Sequence, residues 1–173
     1  MDIDVVKKVA PINKLNDNKK KYYEIKDNLL RFFYTYMYGN MSILQMLGAD
    51  QFYDEYIEPS IITFISYRFE DICIDYFMNQ IRKGKLKGVR NIGTYYYDDP
   101  IHKQNGEFEV VLDYGKKGYT IYEVKYLNKP MDLTMIHHEL DQIQSISELE
   151  IKDIGFISIH GFEEYEQGYI YIT

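Results

Sequence analysis

Residues 106–126 read GEFEVVLDYGKKGYTIYEVKY, two runs of alternating polar and apolar residues joined by a short connection. This alternation is the period of a β-strand with one buried face. The connection, residues 114–118, contains two glycines and is typical of a hairpin loop. The stretch therefore predicts two adjacent antiparallel strands.

The pairing register of this hairpin determines how its charged residues meet. If Asp113 pairs with Tyr119, then Glu109 lies directly opposite Glu123. Lys125 then lies on the same face, two residues farther along. Two facing carboxylates repel each other, and a hard divalent cation with oxygen ligands relieves the repulsion. A fixed lysine beside such an ion suits metal-assisted hydrolysis of a phosphodiester.

A second interpretation of the same residues is an ordinary ion pair. A register shifted by two residues places Glu109 opposite Lys125 on a solvated sheet face. A shift of one residue is unfavourable, because it turns the apolar set Phe108, Val110 and Leu112 outward. The hairpin by itself leaves both the metal site and the ion pair open.

The flanking segments predict an α+β fold. Hydrophobic periodicity predicts a long apolar helix before the hairpin and an amphipathic helix after it. Short apolar runs predict a strand before the hairpin, a buried strand late in the chain and a last edge strand. In chain order the predicted elements are a helix at 61–81, a strand at 89–97, the hairpin, a helix at 131–147 and strands at 154–159 and 168–172.

The first 58 residues predict a hairpin followed by short helices. Residues 5–12 and 21–25 are typical of two short strands joined by a polar turn, and their length and charge suit the wing of a winged helix. Asp27 is a suitable cap for a helix that extends to about residue 38. Two further short helices are expected over residues 40–57, broken at Gly48.

The order helix, three strands, helix, strand resembles the core of the PD-(D/E)XK nuclease superfamily. Glu123, Val124 and Lys125 stand at the position of its E-x-K tripeptide. In that pattern the first metal ligand is an acidic residue on the preceding strand. Glu109 matches it, although the usual residue there is Asp, which is shorter by one methylene. A Glu on the first helix also recurs, and Glu70 matches it.

The resemblance implies a site for Mg²⁺ or Mn²⁺. Glu109, Glu123 and the Val124 carbonyl are the implied ligands, and Glu70 is a second-metal or supporting carboxylate. Lys125 is expected to orient and polarise the attacking water. A Gln on the helix after E-x-K recurs as well, and Gln142, or else Gln144, matches it as the residue that orients the substrate or the lysine.

A longer string of residues is similar to the C-terminal domain of archaeal and bacterial DEXX-box P-loop ATPases, catalogued as domain of unknown function 234. The resemblance implies a restriction-endonuclease-like α/β sandwich: a mixed sheet flanked by helices, preceded by a helical linker and a β-hairpin. The implied domains are a wing-like hairpin (1–26), a helical linker (27–58) and a nuclease-like domain (59–173). The segments that carry the similarity are residues 23–33, 58–59, 64–71, 84–89 and 106–109.

The resemblance implies an effector domain of a larger ATPase that hydrolyses DNA or RNA. The alternative is a catalytically inactive nuclease fold that serves as a protein-interaction or regulatory module of that ATPase. The chain contains no G-x-x-x-x-G-K-[ST] motif, so the ATPase portion is expected as a partner in a longer polypeptide. Aromatic residues around Phe32, Phe33, Tyr34 and Tyr36 predict an open apolar surface for that partner or for a homo-oligomer.

The overall composition excludes several classes of protein. The chain has 173 residues, of which 46% are hydrophobic, and one cysteine, Cys73. A disulfide framework or a cysteine-based metal site is therefore excluded. No apolar run reaches the length of a membrane span, and the N-terminus lacks the basic start of a signal peptide. We therefore expect a cytoplasmic protein with no membrane partner.

The net charge of −7 argues against nucleic-acid binding by the whole surface. Its distribution is uneven, because residues 82–90 contain five basic residues in nine and residues 19–21 are three lysines. Such clusters can contact phosphate. Basic residues are also favoured at a solvated helix C-terminus by the helix dipole, so both explanations of the 82–90 cluster stay open.

Overall fold

The computed structural model describes residues 5–99, 104–146 and 149–173. It contains a two-stranded hairpin, a five-stranded mixed sheet and helices, which confirms the predicted α+β class. The chain packs into two compact units. The hairpin–helix unit comprises residues 5–9 and 21–68, and the sheet unit comprises residues 10–20 and the described residues from 69 onward.

The hairpin–helix unit begins with the predicted hairpin, in which β1 (Val6–Val9) pairs antiparallel with β2 (Tyr22–Ile25). The Asp27 carboxylate caps the next helix by accepting the Leu30 N–H at 2.9 Å, as expected. Gly48 separates the following short helices with a φ of 79°. The helices are α1 (Asn28–Phe32), α2 (Met41–Leu47), α3 (Ala49–Phe52) and α4 (Glu58–Arg82), with π-helical turns at Phe33–Met37 and Tyr53–Ile57.

The expected open aromatic surface is wrong for Tyr36. Its ring is buried beside Phe52, and its hydroxyl lies 3.2 Å from the Ser60 Oγ. Phe32 packs against the same cluster, whereas Tyr34 remains exposed. The helix thus uses part of its aromatic content to form the small core of its own unit.

The sheet unit has the predicted order of elements. Its strands lie in sequence order across the sheet, antiparallel for the first three and parallel for the last three. A parallel connection needs a crossover, and α5 (Leu133–Ser145) supplies it; Ser147, included in the predicted helix, lies outside the described residues. The strands are β3 (Asn91–Asp99), β4 (Gln104–Asp113), β5 (Tyr119–Lys125), β6 (Ile151–Ser158) and β7 (Ile170–Ile172).

Each face of this sheet is covered by one helix. On one face the predicted apolar stripe of α5 packs on β4, β5 and β6. On the other face the C-terminal part of α4 packs through Cys73 and Phe77. The stripe of α5 consists of Ile136, Leu140 and Ile143, all buried as predicted.

A β-bulge interrupts the alternation of β4. Gly93 pairs with Val111, but Tyr95 pairs with Phe108, so three steps along β4 match two along β3. The extra residue lies at positions 109–110. It shifts the alternation by one residue, so the side chains on its two sides do not follow one period-two pattern.

The bulge corrects one expectation of the sequence. Phe108 packs in the core under α5, whereas Val110 and Leu112 pack in the core under α4. The three residues therefore do not form one apolar set. Period-two reasoning fails at Glu109 because the extra residue shifts the phase of the strand.

Residues 10–20 extend the sheet unit beyond the edge of β3. The Ile12 N–H donates to the Thr94 carbonyl at 2.8 Å. The Asn13 amide donates to the Tyr96 carbonyl at 2.7 Å and accepts the Tyr96 N–H at 3.1 Å, so one side chain imitates a paired strand. The predicted domain boundaries at residues 26 and 58 stay a prediction, since the two compact units divide the chain at other positions.

We predict that Asn13→Ala destabilises the sheet unit by about 1–2 kcal/mol, because it leaves both polar groups of Tyr96 without a protein partner. Chemical denaturation of the full chain measures this loss. Asn16→Ala, at an exposed position of the same segment, is the matched control and should change stability by less than about 0.5 kcal/mol. Equal stability of the two variants would contradict the pairing role of Asn13.

Candidate carboxylate–lysine site

The hairpin has the predicted register. Asp113 pairs with Tyr119, and the ladder runs on to Val110 opposite Tyr122. The register shifted by two residues, which would make an ordinary cross-strand ion pair, is therefore not the one adopted. Beyond the last pair, the Glu109 carboxylate accepts the backbone N–H of Val124 at 3.0 Å.

Lys125 is held by two carboxylates. Its Nζ lies 2.5 Å from the Glu123 Oε1 and 3.0 Å from the Glu139 Oε1. Burial opposes the charge of Lys125, but these two neighbours outweigh it and raise the pKa of the ammonium group above its usual value. The lysine is therefore a permanent, oriented cation at the end of β5.

Sequence reasoning missed Glu139. It lies on α5 among the buried residues Ile136, Leu140 and Ile143, in the i, i+3, i+4, i+7 pattern of a helix face that packs on a core. A carboxylate in that stripe needs a cation or hydrogen bonds to be tolerated. A charged residue inside this apolar stripe was the feature of the sequence that could have indicated Glu139 as a site residue.

Burial and mutual repulsion raise the pKa values of the three predicted acidic residues. Glu123 is only 6% exposed, and burial, reinforced by the charge of Glu109, raises its pKa to about 8. Burial, reinforced by Glu70, raises the pKa of Glu109 to about 7. For Glu70 on α4, burial acts first and the neighbouring carboxylates Asp71 and Glu123 add to it, so its pKa also reaches about 7.

The site therefore has more carboxylates than cations. Glu70, Glu109, Glu123 and Glu139 act on one another or on Lys125, and Lys125 is the cation that lowers the pKa values of Glu70, Glu109 and Glu123. A buried excess of negative charge is costly unless protons or cations neutralise it. The arrangement can take up a divalent cation, or it can hold protons near neutral pH.

Two further residues at this site were not foreseen. The Ser158 hydroxyl is fully buried, and Ser158 is the register partner of Lys125 on β6. Within the described part of the chain its Oγ has no hydrogen-bond partner. Cys73 lies near Glu109, but burial raises its thiol pKa to about 12, so it stays protonated and unreactive.

Gln142 binds elsewhere than expected. Its amide donates to the Tyr97 hydroxyl, while Glu139, three residues earlier on α5, contacts Lys125. Gln144 is exposed. The role of Gln142 in orienting a substrate stays a prediction, and Tyr97 joins it as a polar group on the same side of the sheet.

The donor set fits Mg²⁺ or Mn²⁺ in kind. Among residues 5–99, 104–146 and 149–173, no three His, Cys, Asp or Glu side chains are grouped to hold an ion. Mg²⁺, however, is usually bound by only one or two carboxylates and keeps several waters. Glu109 and Glu123 are two carboxylates of the kind that this mode uses, and the buried Ser158 hydroxyl beside Lys125 is a polar atom without a hydrogen-bond partner in the described residues.

The fold and the site define an α+β domain whose central sheet carries a buried carboxylate–lysine cluster. The chain belongs to the family catalogued as domain of unknown function 234, described as archaeal and bacterial proteins of unknown function, whose model matches residues 33–143. No curated protein and no solved structure gives a significant match. In the described residues, none of the helices is both long enough and apolar enough to cross a membrane.

The raised pKa values predict that the unliganded protein loses stability as pH rises. Glu70, Glu109 and Glu123 have pKa values of about 7 to 8 when folded, against the ordinary value of 4.5. The folded state therefore binds more protons between about pH 4.5 and pH 8, and the free energy of unfolding falls through that window. Glu123→Gln should flatten the fall and raise stability at its alkaline end by on the order of a few kcal/mol.

Urea denaturation at a series of pH values, with a chelator present, measures this dependence. Glu164→Gln removes an exposed carboxylate of the same unit and should leave the wild-type slope unchanged. If wild type and Glu123→Gln had the same slope, the raised pKa of Glu123 would be contradicted.

Proposed function

We propose that this chain is a divalent-metal-dependent phosphodiesterase domain that acts on DNA or RNA as the effector of a larger ATPase. The observation that carries the proposal is the buried excess of carboxylates around Lys125. Asp113 pairs with Tyr119 at the expected hairpin register, and beyond the last pair the Glu109 carboxylate accepts the Val124 N–H. A purely structural ion pair needs one carboxylate per lysine, whereas this cluster supplies several.

The order of elements supports the same proposal. The chain runs α4, β3, β4, β5, α5, β6, and these four strands lie in one sheet with β7. That is the helix, three strands, helix, strand order on which the resemblance to PD-(D/E)XK nucleases rests. Glu109 lies on the second strand and Glu123-Val124-Lys125 on the third, where that pattern has its acidic ligand and its tripeptide.

In the proposed mechanism Glu109, Glu123 and the Val124 carbonyl hold Mg²⁺ or Mn²⁺, and Glu70 is a supporting carboxylate. A divalent ion bound there would supply an acidified water and would neutralise charge on the phosphate. Lys125 donates hydrogen bonds to the attacking water and to the phosphoryl oxygens as their charge develops.

Two other residues position these groups. Glu139 on α5 contacts the Lys125 ammonium at 3.0 Å and would keep it in place while Glu123 holds the ion. Gln142, whose amide donates to the Tyr97 hydroxyl, would orient the substrate or Lys125. Both residues keep polar groups directed to the face of the sheet that α5 covers.

The competing function is an inactive module that binds the ATPase or a regulatory protein. One observation favours it: Lys125 is already paired with Glu123 and Glu139, and Glu109 already accepts the Val124 N–H. The Lys125 ammonium group therefore already has hydrogen-bond partners when no substrate is bound. The longer Glu in place of the usual Asp at position 109 acts in the same direction.

The wider setting is also part of the proposal. The similarity to the C-terminal region of P-loop ATPases makes the ATPase portion of a longer polypeptide the first partner, with a homo-oligomer as a further possible assembly. We propose a cytoplasmic location, where ATP, Mg²⁺ and nucleic acid occur together.

We predict that Mn²⁺ at millimolar concentration, the range of weak protein sites, raises the melting temperature of the wild type. The ion binds only the folded state and removes the repulsion between Glu109 and Glu123. Glu123→Gln should abolish this shift and raise the melting temperature without metal. Lys125→Ala should keep the metal shift and abolish cleavage of a labelled oligonucleotide, because the lysine serves the reaction.

Lys129→Ala, which removes an exposed lysine after β5, is the matched control and should keep both properties. The inactive-module alternative expects no metal shift and no cleavage, with stability lost in Lys125→Ala through the broken pairs. A melting temperature indifferent to Mn²⁺ would overturn the nuclease proposal.

A further inference from the structure

Basic residues from two separate loops meet at one end of the sheet unit. The first loop connects α4 to β3, and the second is the turn between β4 and β5. All seven basic side chains are exposed, and none forms an ion pair within the described part of the chain. This cationic face consists of Arg82, Lys83, Lys85, Lys87, Arg90, Lys116 and Lys117.

Contacts join the two loops. The Arg90 N–H donates to the Asp113 carbonyl at 2.7 Å. Its guanidinium group lies across Gly115, where an added Cβ would come within 2.6 Å of the Arg90 Cζ. Leu86 and Val89 turn inward and pack with Tyr114 in the core under α4. The basic residues are therefore presented by anchored loops.

Three acidic residues lie near this face, and its seven basic residues outnumber them. Glu150 is exposed beside Gly118, whereas the other two are engaged. The Asp113 carboxylate accepts the Gly115 N–H at 2.6 Å. Asp153 forms an ion pair with Lys152, whose ammonium also lies 4.8 Å from the centre of the Tyr114 ring. The cationic face therefore keeps a strong positive charge in a chain whose net charge is −7.

The shape of the face indicates an extended polyanion as its ligand. Its residues follow the ends of β3, β4 and β5, which at the usual strand spacing of about 4.8 Å span roughly 10 Å. That span corresponds to about six phosphates of a duplex, whose two strands together carry one charge per roughly 1.7 Å of axis. A site for one small anion would instead bring its donors together at a single point.

The apolar residues of the loops argue against a membrane. Lipid surfaces are bound by basic residues next to exposed apolar side chains that insert among the acyl chains. No large apolar side chain is exposed in residues 82–90 or 114–118.

We propose that this cationic face docks the phosphate backbone of a nucleic acid. The choice of nucleic acid as the polyanion rests on the proposed function, whereas the face itself does not.

The test is binding of the full chain to a fluorescently labelled DNA duplex in EDTA, where no metal-dependent cleavage occurs. Association constants measured over a salt series give the number of phosphate contacts from the slope of log K against log salt. Lys85→Gln/Lys87→Gln and Lys116→Gln/Lys117→Gln should each reduce this slope by about two, and the fourfold variant by about four.

Lys8→Gln/Lys129→Gln removes the same charge from exposed lysines outside this face and should leave the slope unchanged. Melting temperatures verify that every variant is folded. An equal loss in the control and the face variants would overturn the proposal, and so would loss from only one of the two loops.

Two other polyanions complete the experiment. Binding to phosphatidylserine vesicles or to polyglutamate that is as tight as binding to the duplex, and as sensitive to the four lysines, would replace nucleic acid by a membrane or an acidic protein and overturn the proposal. Duplex binding through the four lysines together with a melting temperature indifferent to Mn²⁺ would uphold this inference while the proposed catalytic function fails.

Discussion

The pairing of β4 with β5 is the constraint on which the site depends. Asp113 opposite Tyr119 fixes every later pair of the hairpin. The bulge against β3 then shifts the phase of β4 at Glu109, so that its carboxylate accepts the Val124 N–H on the neighbouring strand. A slip of one residue would exchange the side chains of the strand between the core under α4 and the core under α5. The cores under α4 and α5 therefore also hold the site in its geometry.

The carboxylate cluster is unfavourable for the stability of the folded chain. A well-packed apolar side chain at Glu123 would avoid both the burial of charge and the repulsion from Glu109. The sheet instead places Glu123 at 6% exposure with a pKa of about 8. Local destabilisation of this kind is typical of groups that act on a ligand, because the ligand supplies the missing neutralisation. The same imbalance makes the cluster sensitive to both protons and cations.

The sequence predicts the elements of this fold better than it predicts their exact phase. The apolar stripe of α5 is regular, so the spacing of its residues alone predicts both the helix and its buried face. It consists of Ile136, Leu140 and Ile143. The hairpin register follows from its turn. The bulge at Glu109 is set by pairing with β3, a strand that begins eighteen residues earlier, and no local pattern shows it.

The same distinction explains the missed site residues. Glu139 approaches Lys125 only because the crossover brings α5 back over the sheet, and Ser158 does so because β6 pairs parallel to β5. For Asn13 the separation in sequence is larger still, since its side chain accepts a hydrogen bond from Tyr96, 83 positions away. Contacts between distant segments are tertiary, and residue patterns in one window carry little information about them. For Glu139 alone, a charge inside an apolar stripe indicated an unusual role.

Charge segregation within the sheet unit connects the two proposals. The carboxylate cluster repels a polyanion, so a nucleic acid must gain its binding energy elsewhere on the surface. The cationic face offers that energy at the start of β5, and Glu123 lies four residues farther along the same strand, about 13 Å at the usual rise. Under the two proposals, a backbone held at the face would extend past the covered sheet to the cluster, and a divalent cation there would convert repulsion into attraction. A net charge of −7 conceals this arrangement, because the sum over the chain says nothing about where the opposite charges lie.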